Sequence, residues 1–160
     1  MSVNPDLRKA IEQASSRYYR LVLLVGPSGA GKTDLLRRLA VDLGHKYRNV
    51  NLELSQRMLE LTKAQRPLKA QQLLMHLISE VDTDVVILDN LQILFDTGLR
   101  LDPLRLLQAL GRIKTIVAAW NGELHGDTLT YAAPHHPEHQ SYRNVDAIVL
   151  QTDQNTPANT

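Results

Sequence analysis

The sequence predicts an α/β fold, a three-layer sandwich built on a mainly parallel, five-stranded sheet. Three observations predict it. Short, unbroken apolar runs at residues 21–25 and 85–88 suit strands buried on both faces. Stretches with apolar residues at helical spacing lie between such runs. The two kinds of segment alternate along the chain, as in successive βαβ units. A length of 160 residues fits one domain with a single core.

The elements follow in order. Residues 7–18 carry Leu7, Ile11 and Ala14 on one stripe, so residues 1–20 are assigned to an N-terminal helix. Residues 21–25 form the first strand and end in glycine. Residues 32–43 place Leu35, Leu36, Leu39, Ala40 and Leu43 on one face of a helix, with Gly44 as its C-cap. Residues 50–54 alternate and read as a second strand. Two helical pieces follow, residues 55–65 and 67–80, divided at Arg66-Pro67. Residues 85–88 form the third strand. Asp102-Pro103 supplies an N-cap and a proline at the first helical position of a short helix ending at Gly111. Residues 113–120 and 145–150 complete the sheet. The polar residues 151–160 read as a disordered tail. The core is thus residues 21–150, with no second domain.

Lys plus Arg is 18 and Asp plus Glu is 17, so net charge gives no general pull toward nucleic acid. With no cysteine, disulfides and thiolate metal sites are excluded. The start of the chain lacks the apolar stretch of a secretory signal, and no apolar run is long enough for a bilayer. A cytoplasmic protein without a membrane partner is expected.

One motif carries chemistry. Gly26-Pro27-Ser28-Gly29-Ala30-Gly31-Lys32-Thr33 fits G-x-x-x-x-G-K-[ST] and sits between an apolar strand and an amphipathic helix. The glycines let the backbone turn tightly and approach phosphate. The loop amides and the helix N-terminus then face the anion. In such a loop Lys32 neutralises β/γ oxygens and Thr33 ligates Mg²⁺. Asp89 closes the strand at residues 85–88, facing the ligand crevice as the second magnesium partner. ATP is the expected nucleotide, because no Asn-Lys-x-Asp guanine motif is present.

Only one strand is predicted between this loop and the Asp89 strand, and the following strand ends in Asn121. This succession resembles the additional-strand P-loop ATPases, the AAA+ superfamily in particular. The resemblance implies that Asn121 senses the γ-phosphate; a turn at Asn121-Gly122 is the alternative. It also implies that an arginine before the last strand, Arg143, reaches a neighbouring subunit's site, so a homo-oligomer is expected. A structural or solvated Arg143 is the alternative, and Arg112 and Arg105 are weaker candidates. Two departures stand out. Asn90 replaces the usual glutamate and cannot accept a proton from water, so hydrolysis should be slow. Glu53 is a substitute carboxylate if residues 50–54 are the neighbouring strand, but the alternation of Val50, Leu52 and Leu54 favours the alternative of a solvent-facing Glu53. The chain also leaves no room for a helical lid after its last strand. A nucleotide-kinase reading is suggested by the loop alone, but neither an acceptor region nor an Arg-rich lid is evident.

Further segments narrow the resemblance. Residues 21–33 and 50–55, the Met58-Leu59 pair, Leu88-Asp89-Asn90-Leu91-Gln92-Ile93-Leu94-Phe95-Asp96, Ala119-Trp120-Asn121-Gly122, Leu129-Thr130-Tyr131-Ala132 and His135-His136-Pro137-Glu138-His139 together resemble BrxF. This is the small P-loop family of type 3 BREX bacteriophage-defence systems. The resemblance spans about residues 21–150. It implies an antiviral role beside other BREX proteins: a methyltransferase, a large ATPase and a phosphatase-like component.

Two clusters remain. His135, His136 and His139, with His125 nearby, lie in a segment bounded by Pro134 and Pro137. A loop near the nucleotide or at an interface fits them better than a metal site. Arg8, Lys9, Arg17 and Arg20 make the N-terminal region locally basic, as a solvated face or as a contact for DNA phosphates or a partner.

Overall fold

The computed structural model describes residues 5–152. In chain order they form α1 (Pro5–Ala14), β1 (Leu21–Gly26), α2 (Lys32–Leu43), β2 (Lys46–Asn49), α3 (Val50–Arg57), α4 (Arg66–Ser79), β3 (Val85–Asp89), α5 (Pro103–Leu110), β4 (Thr115–His125), β5 (Thr128–Tyr131), β6 (Gln140–Arg143) and β7 (Ile148–Gln151). Two short 3₁₀ turns, Gln92–Phe95 and Thr97–Leu99, follow β3. The parallel strands run in the order β2-β3-β4-β1-β7. An inserted strand, β4, therefore separates β1 from β3. This is the additional-strand arrangement expected from the sequence.

Alternation along each central strand feeds two cores. Leu21, Leu23, Val25, Val86, Leu88, Ile116, Ala118 and Trp120 face α3, α4 and α5. Val22, Leu24, Val85, Ile87, Val117 and Ala119 face α1 and α2. The result is the predicted three-layer sandwich.

Three expectations need correction. Residues 50–54 are not a strand but the first turns of α3. Asn49 accepts a hydrogen bond from Leu52 N (3.0 Å), and Val50 and Leu54, four apart, are the residues that α3 buries. The true second strand, β2, is the polar Lys46-Tyr47-Arg48-Asn49 at the sheet edge, where apolar alternation is not required. The predicted strand at residues 113–120 continues through Asn121-Gly122 to His125. There it turns into an antiparallel hairpin with β5 and β6, which extends the five expected parallel strands to a sheet of seven among the described residues. Finally, Gln151 is not tail but the end of β7, and Thr152 N donates to Val25 O (2.8 Å). The remainder of the expected tail, residues 153–160, and residues 1–4 lie outside the described residues.

The hairpin is fastened by aromatic packing. Tyr131 stacks on Phe95 at 3.5 Å, Trp120 meets Phe95 edge-on at 5.2 Å, and Trp120 Nε1 donates to Thr130 O (3.0 Å). Tyr142 donates to Asp102 Oδ1 (3.0 Å), tying β6 to the capped start of α5. Among the described residues no helix is long and apolar enough to cross a membrane.

Candidate functional site

The loop between β1 and α2 has the geometry its glycines require. Gly29 and Gly31 stand at φ 84° and 87°, in the left-handed region that favours glycine. Gly31 is also the N-cap of α2 and supplies no capping side chain, so the first amides of the helix are left for an anion. Gly26 is needed for a different reason: a Cβ there would collide with the Thr152 side chain beside it.

Lys32 is 5% exposed and curls back under the loop, donating to Gly26 O and Pro27 O, each at 2.7 Å. Burial pulls its ammonium pKa down, and the nearby Asp89 carboxylate partly offsets this. Asp89, 4% exposed, sits at the end of β3 and faces α2. Its Oδ2 accepts from Thr33 Oγ1 (2.7 Å), so the two predicted metal partners are in contact.

Asn90 follows in the left-handed region at φ 55°. Its amide donates to Asp89 Oδ1 (2.9 Å), and its carbonyl accepts from Asn51 N at the start of α3 (2.9 Å). Asparagine tolerates this conformation better than most residues. The residue standing where a glutamate was expected therefore has a backbone reason to be Asn. Asn90→Glu is expected to lose about 1 kcal/mol of folding stability, and Asn90→Gly to lose none. Urea unfolding of the two variants checks this.

Asn121 lies on β4 beside Gly26 of β1. It lines a cavity of about 300 Å³ together with Ser28, Lys32, Thr33, Asp89 and Asn90. The alternative of a turn at Asn121-Gly122 is thereby replaced: both residues are strand. Ser28, Gln92 and Asn121 also line a second cavity, of about 750 Å³, walled by the hairpin and by His125, His136 and His139. The histidine loop is therefore next to the glycine loop. His135 is not among the lining residues, and among the described residues no His/Asp/Glu cluster is arranged to hold a metal ion.

The structure does not bring the other candidates to the cavity. Glu53 is on α3, where it pairs with Arg48 (3.3 Å), because the strand on which its role depended is a helix. Arg112 packs its guanidinium 3.7 Å from the Tyr18 ring centre and donates to Tyr18 O, at the end of the sheet away from the glycine loop. Arg20 bonds Gly111 O and Arg112 O there, and Arg17 pairs with Asp146, so half of the basic N-terminal cluster makes contacts within the fold. Arg105 pairs with Asp102 (3.7 Å). Arg143 ends β6, with a side chain 74% exposed, 3.6 Å from Asp127.

Sequence reasoning missed Tyr47. From β2 its hydroxyl donates to Asp89 Oδ2 (2.6 Å), the oxygen that Thr33 also uses. The Arg37 guanidinium lies 5.0 Å from its ring centre. Burial first, then the bond to Asp89, push its pKa up, so it keeps its proton and donates. With β2 placed correctly, alternation would have found it: Tyr47 is two residues before Asn49, the register partner of Asp89.

No protein-family model matches this sequence, and no curated protein matches it. Solved structures do. A DNA replication initiation factor aligns with a TM-score of 0.51 at 19% identity, covering 92% of this chain and 44% of that one. AMPPCP-bound DnaA from Aquifex aeolicus aligns with a TM-score of 0.50 at 18% identity, again covering 92% and 44%. The chain thus spans less than half the length of these structures. At such identities the likeness is one of fold, and the fold is that of an AAA+-like P-loop NTPase.

Proposed function

We propose that this chain binds ATP with magnesium in the glycine loop, hydrolyses it slowly, and acts in a bacterial antiphage complex with other BREX proteins. One observation carries the nucleotide reading: Lys32, Thr33 and Asp89 converge behind the uncapped start of α2. Among the described residues Lys32 donates its hydrogen bonds to two neutral carbonyls, with Asp89 nearby, and exchanging the carbonyls for phosphate oxygens satisfies its charge better. Thr33 and Asp89 offer hydroxyl and carboxylate oxygens, the hard donors that suit magnesium. When bound there, magnesium neutralises charge on the β- and γ-oxygens.

Hydrolysis is in-line attack: water oxygen bonds to Pγ, the Pγ–O bond to ADP breaks, and the water's protons pass to solvent or to the released phosphate. Lys32 stabilises the γ-oxygens, and Asn121 orients water or a γ-oxygen. Asp34 and Asp89 are the only carboxylates among the described residues that line the small cavity. Asp89 already accepts three hydrogen bonds. With Asn90 in the glutamate's place, unaided turnover is slow. This favours a second reading, a nucleotide-switched adaptor that holds a protein or DNA in one state. The larger cavity has no Lys or Arg among its described lining residues, which argues against a nucleotide-kinase acceptor site.

The defence role rests on the resemblance to BrxF. Completion of the site by a second copy rests on the exposure of Arg143. ATP turnover and molecular mass, measured together across protein concentration, test both functional readings. Turnover that rises with assembly and falls at least tenfold in Arg143→Ala is expected for an assembling ATPase. Tight ATP binding without turnover at any concentration identifies the adaptor. Specific activity unchanged by dilution and by Arg143→Ala sinks the role of Arg143.

A further inference from the structure

We propose that Tyr47 is a positioning residue that sets the magnesium demand of the site by competing for the Asp89 carboxylate. The proposal rests on the reading of residues 26–33 as a magnesium–nucleotide loop.

An ionised carboxylate offers about four acceptor positions on its two oxygens. Three are used within the fold. Oδ2 accepts from Thr33 Oγ1 (2.7 Å) and from Tyr47 Oη (2.6 Å), and Oδ1 accepts from Asn90 N (2.9 Å). The Thr33 and Asn90 bonds come from the glycine-loop helix and from the residue next in sequence, and they suffice to orient the carboxylate. The Tyr47 bond is additional. It comes from the neighbouring edge strand and removes one further lone pair from any water held by the metal.

The tyrosine is built into this position. Its ring packs against the core between the sheet and α2, with Arg37 of α2 over it. Its strand is fixed to β3 by the pairing of Tyr47 with Ile87 and of Asn49 with Asp89. Asn49 caps α3, and Asn51 of α3 bonds the carbonyl of Asn90. The same short segment, residues 47–51, thus touches the carboxylate on one side and the backbone after it on the other. A displacement of this edge strand would reach Asp89 directly.

Tyr47→Phe keeps the ring and its packing and removes only the hydroxyl. The Thr33 and Asn90 bonds still orient Asp89, and one acceptor position is freed for metal-bound water. The half-saturating magnesium concentration is therefore expected to fall by about fivefold, the worth of one hydrogen bond. The measurement uses a fluorescent ATP analogue at fixed concentration, titrated with magnesium chloride, for wild type, Tyr47→Phe and Lys32→Met. A parallel titration with the analogue in EDTA gives the metal-free affinity. That affinity is expected to agree within about twofold between wild type and Tyr47→Phe, which a general loosening of the site would not allow. A magnesium midpoint that is unchanged or raised in Tyr47→Phe overturns the proposal while leaving the nucleotide reading intact. Wild type that binds the analogue without any magnesium response, or no better than Lys32→Met, overturns both.

Discussion

Replacing Lys32 by Met is expected to weaken ATP binding about a hundredfold or more while leaving the melting temperature within about 3 °C of wild type. The two halves of this expectation have one origin. The ammonium is buried and makes its bonds to two backbone carbonyls, with Asp89 as the nearby counter-charge. Taking that charge from water costs free energy that neutral carbonyls only partly return. Methionine fills most of the same volume without a charge, so the fold loses two hydrogen bonds but sheds the desolvation penalty. The nucleotide complex gains no such compensation. The triphosphate loses the Lys32 ammonium, the only Lys or Arg among the described residues lining the small cavity, and charge-assisted bonds to phosphate are among the strongest a side chain makes. Calorimetric titration of ATP, paired with thermal melts, checks the expectation. Affinity within tenfold of wild type would show that the loop does not grip phosphate through Lys32.

How legible the site was in the sequence depended on whether local chemistry or long-range packing fixed each residue. Residues 26–33 could be read directly, because glycines at fixed offsets, Lys32 and Thr33 each answer to a local requirement. Asp89 followed from its place at the end of a strand buried throughout. Asn121 followed from the succession of strands along the chain, as the residue ending the strand predicted after Asp89; the structure places that strand, β4, between β1 and β3. Tyr47 was out of reach because β2 was misplaced. An edge strand has one neighbour and needs little apolar surface, so Lys46-Tyr47-Arg48-Asn49 carries almost no pattern. The alternation of Val50, Leu52 and Leu54 imitated a strand, yet Leu52 is exposed and α3 buries only Val50 and Leu54, at helical spacing. The asparagine before Val50 was the available sign of a helix start.

The hairpin was missed for a different reason. Gly126-Asp127 is a two-residue connection between His125 and Thr128, with Gly126 at φ 61°, and a glycine in that first central position is a recognised hairpin signal. It was overlooked because Asn121-Gly122, a stronger turn pair by composition, appeared to end the strand earlier. That pair is instead held extended by its neighbours. The consequence reaches the site, because the hairpin carries Tyr131 and the histidine loop to the cavity that adjoins Ser28 and Asn121. The order β2-β3-β4-β1-β7 then places every residue of the small cavity at one end of the parallel strands, where such sheets bind ligands.

Gly122→Ala is expected to destabilise the fold by about 3 kcal/mol or more, the largest effect of a Cβ added at any of the glycines. Gly122 pairs with Tyr131 across the hairpin, and the Trp120 indole lies over it to donate to Thr130 O at 3.0 Å. A Cβ at this position would overlap the Thr130 carbonyl oxygen and stand 2.8 Å from Trp120 Nε1, in the path of that hydrogen bond. Neither neighbour can withdraw cheaply. The carbonyl belongs to paired backbone, and the indole is 1% exposed, enclosed by Phe95, Tyr131 and Tyr142 with ring centres 5.2, 6.3 and 5.9 Å away. Relief requires the hairpin to separate from β4, which breaks the indole bond and unpacks the aromatic cluster together. Because Gly122 adjoins Asn121, weaker nucleotide binding is expected to accompany the loss of stability. Gly126→Ala is the matched control. That glycine has positive φ but nothing within 4 Å of an added Cβ, so only the backbone preference of about 1 kcal/mol is lost. Urea unfolding of both variants, followed by Trp120 fluorescence, separates steric overlap from conformational preference. Equal destabilisation of the two would mean that Trp120 does not cross the strand at Gly122.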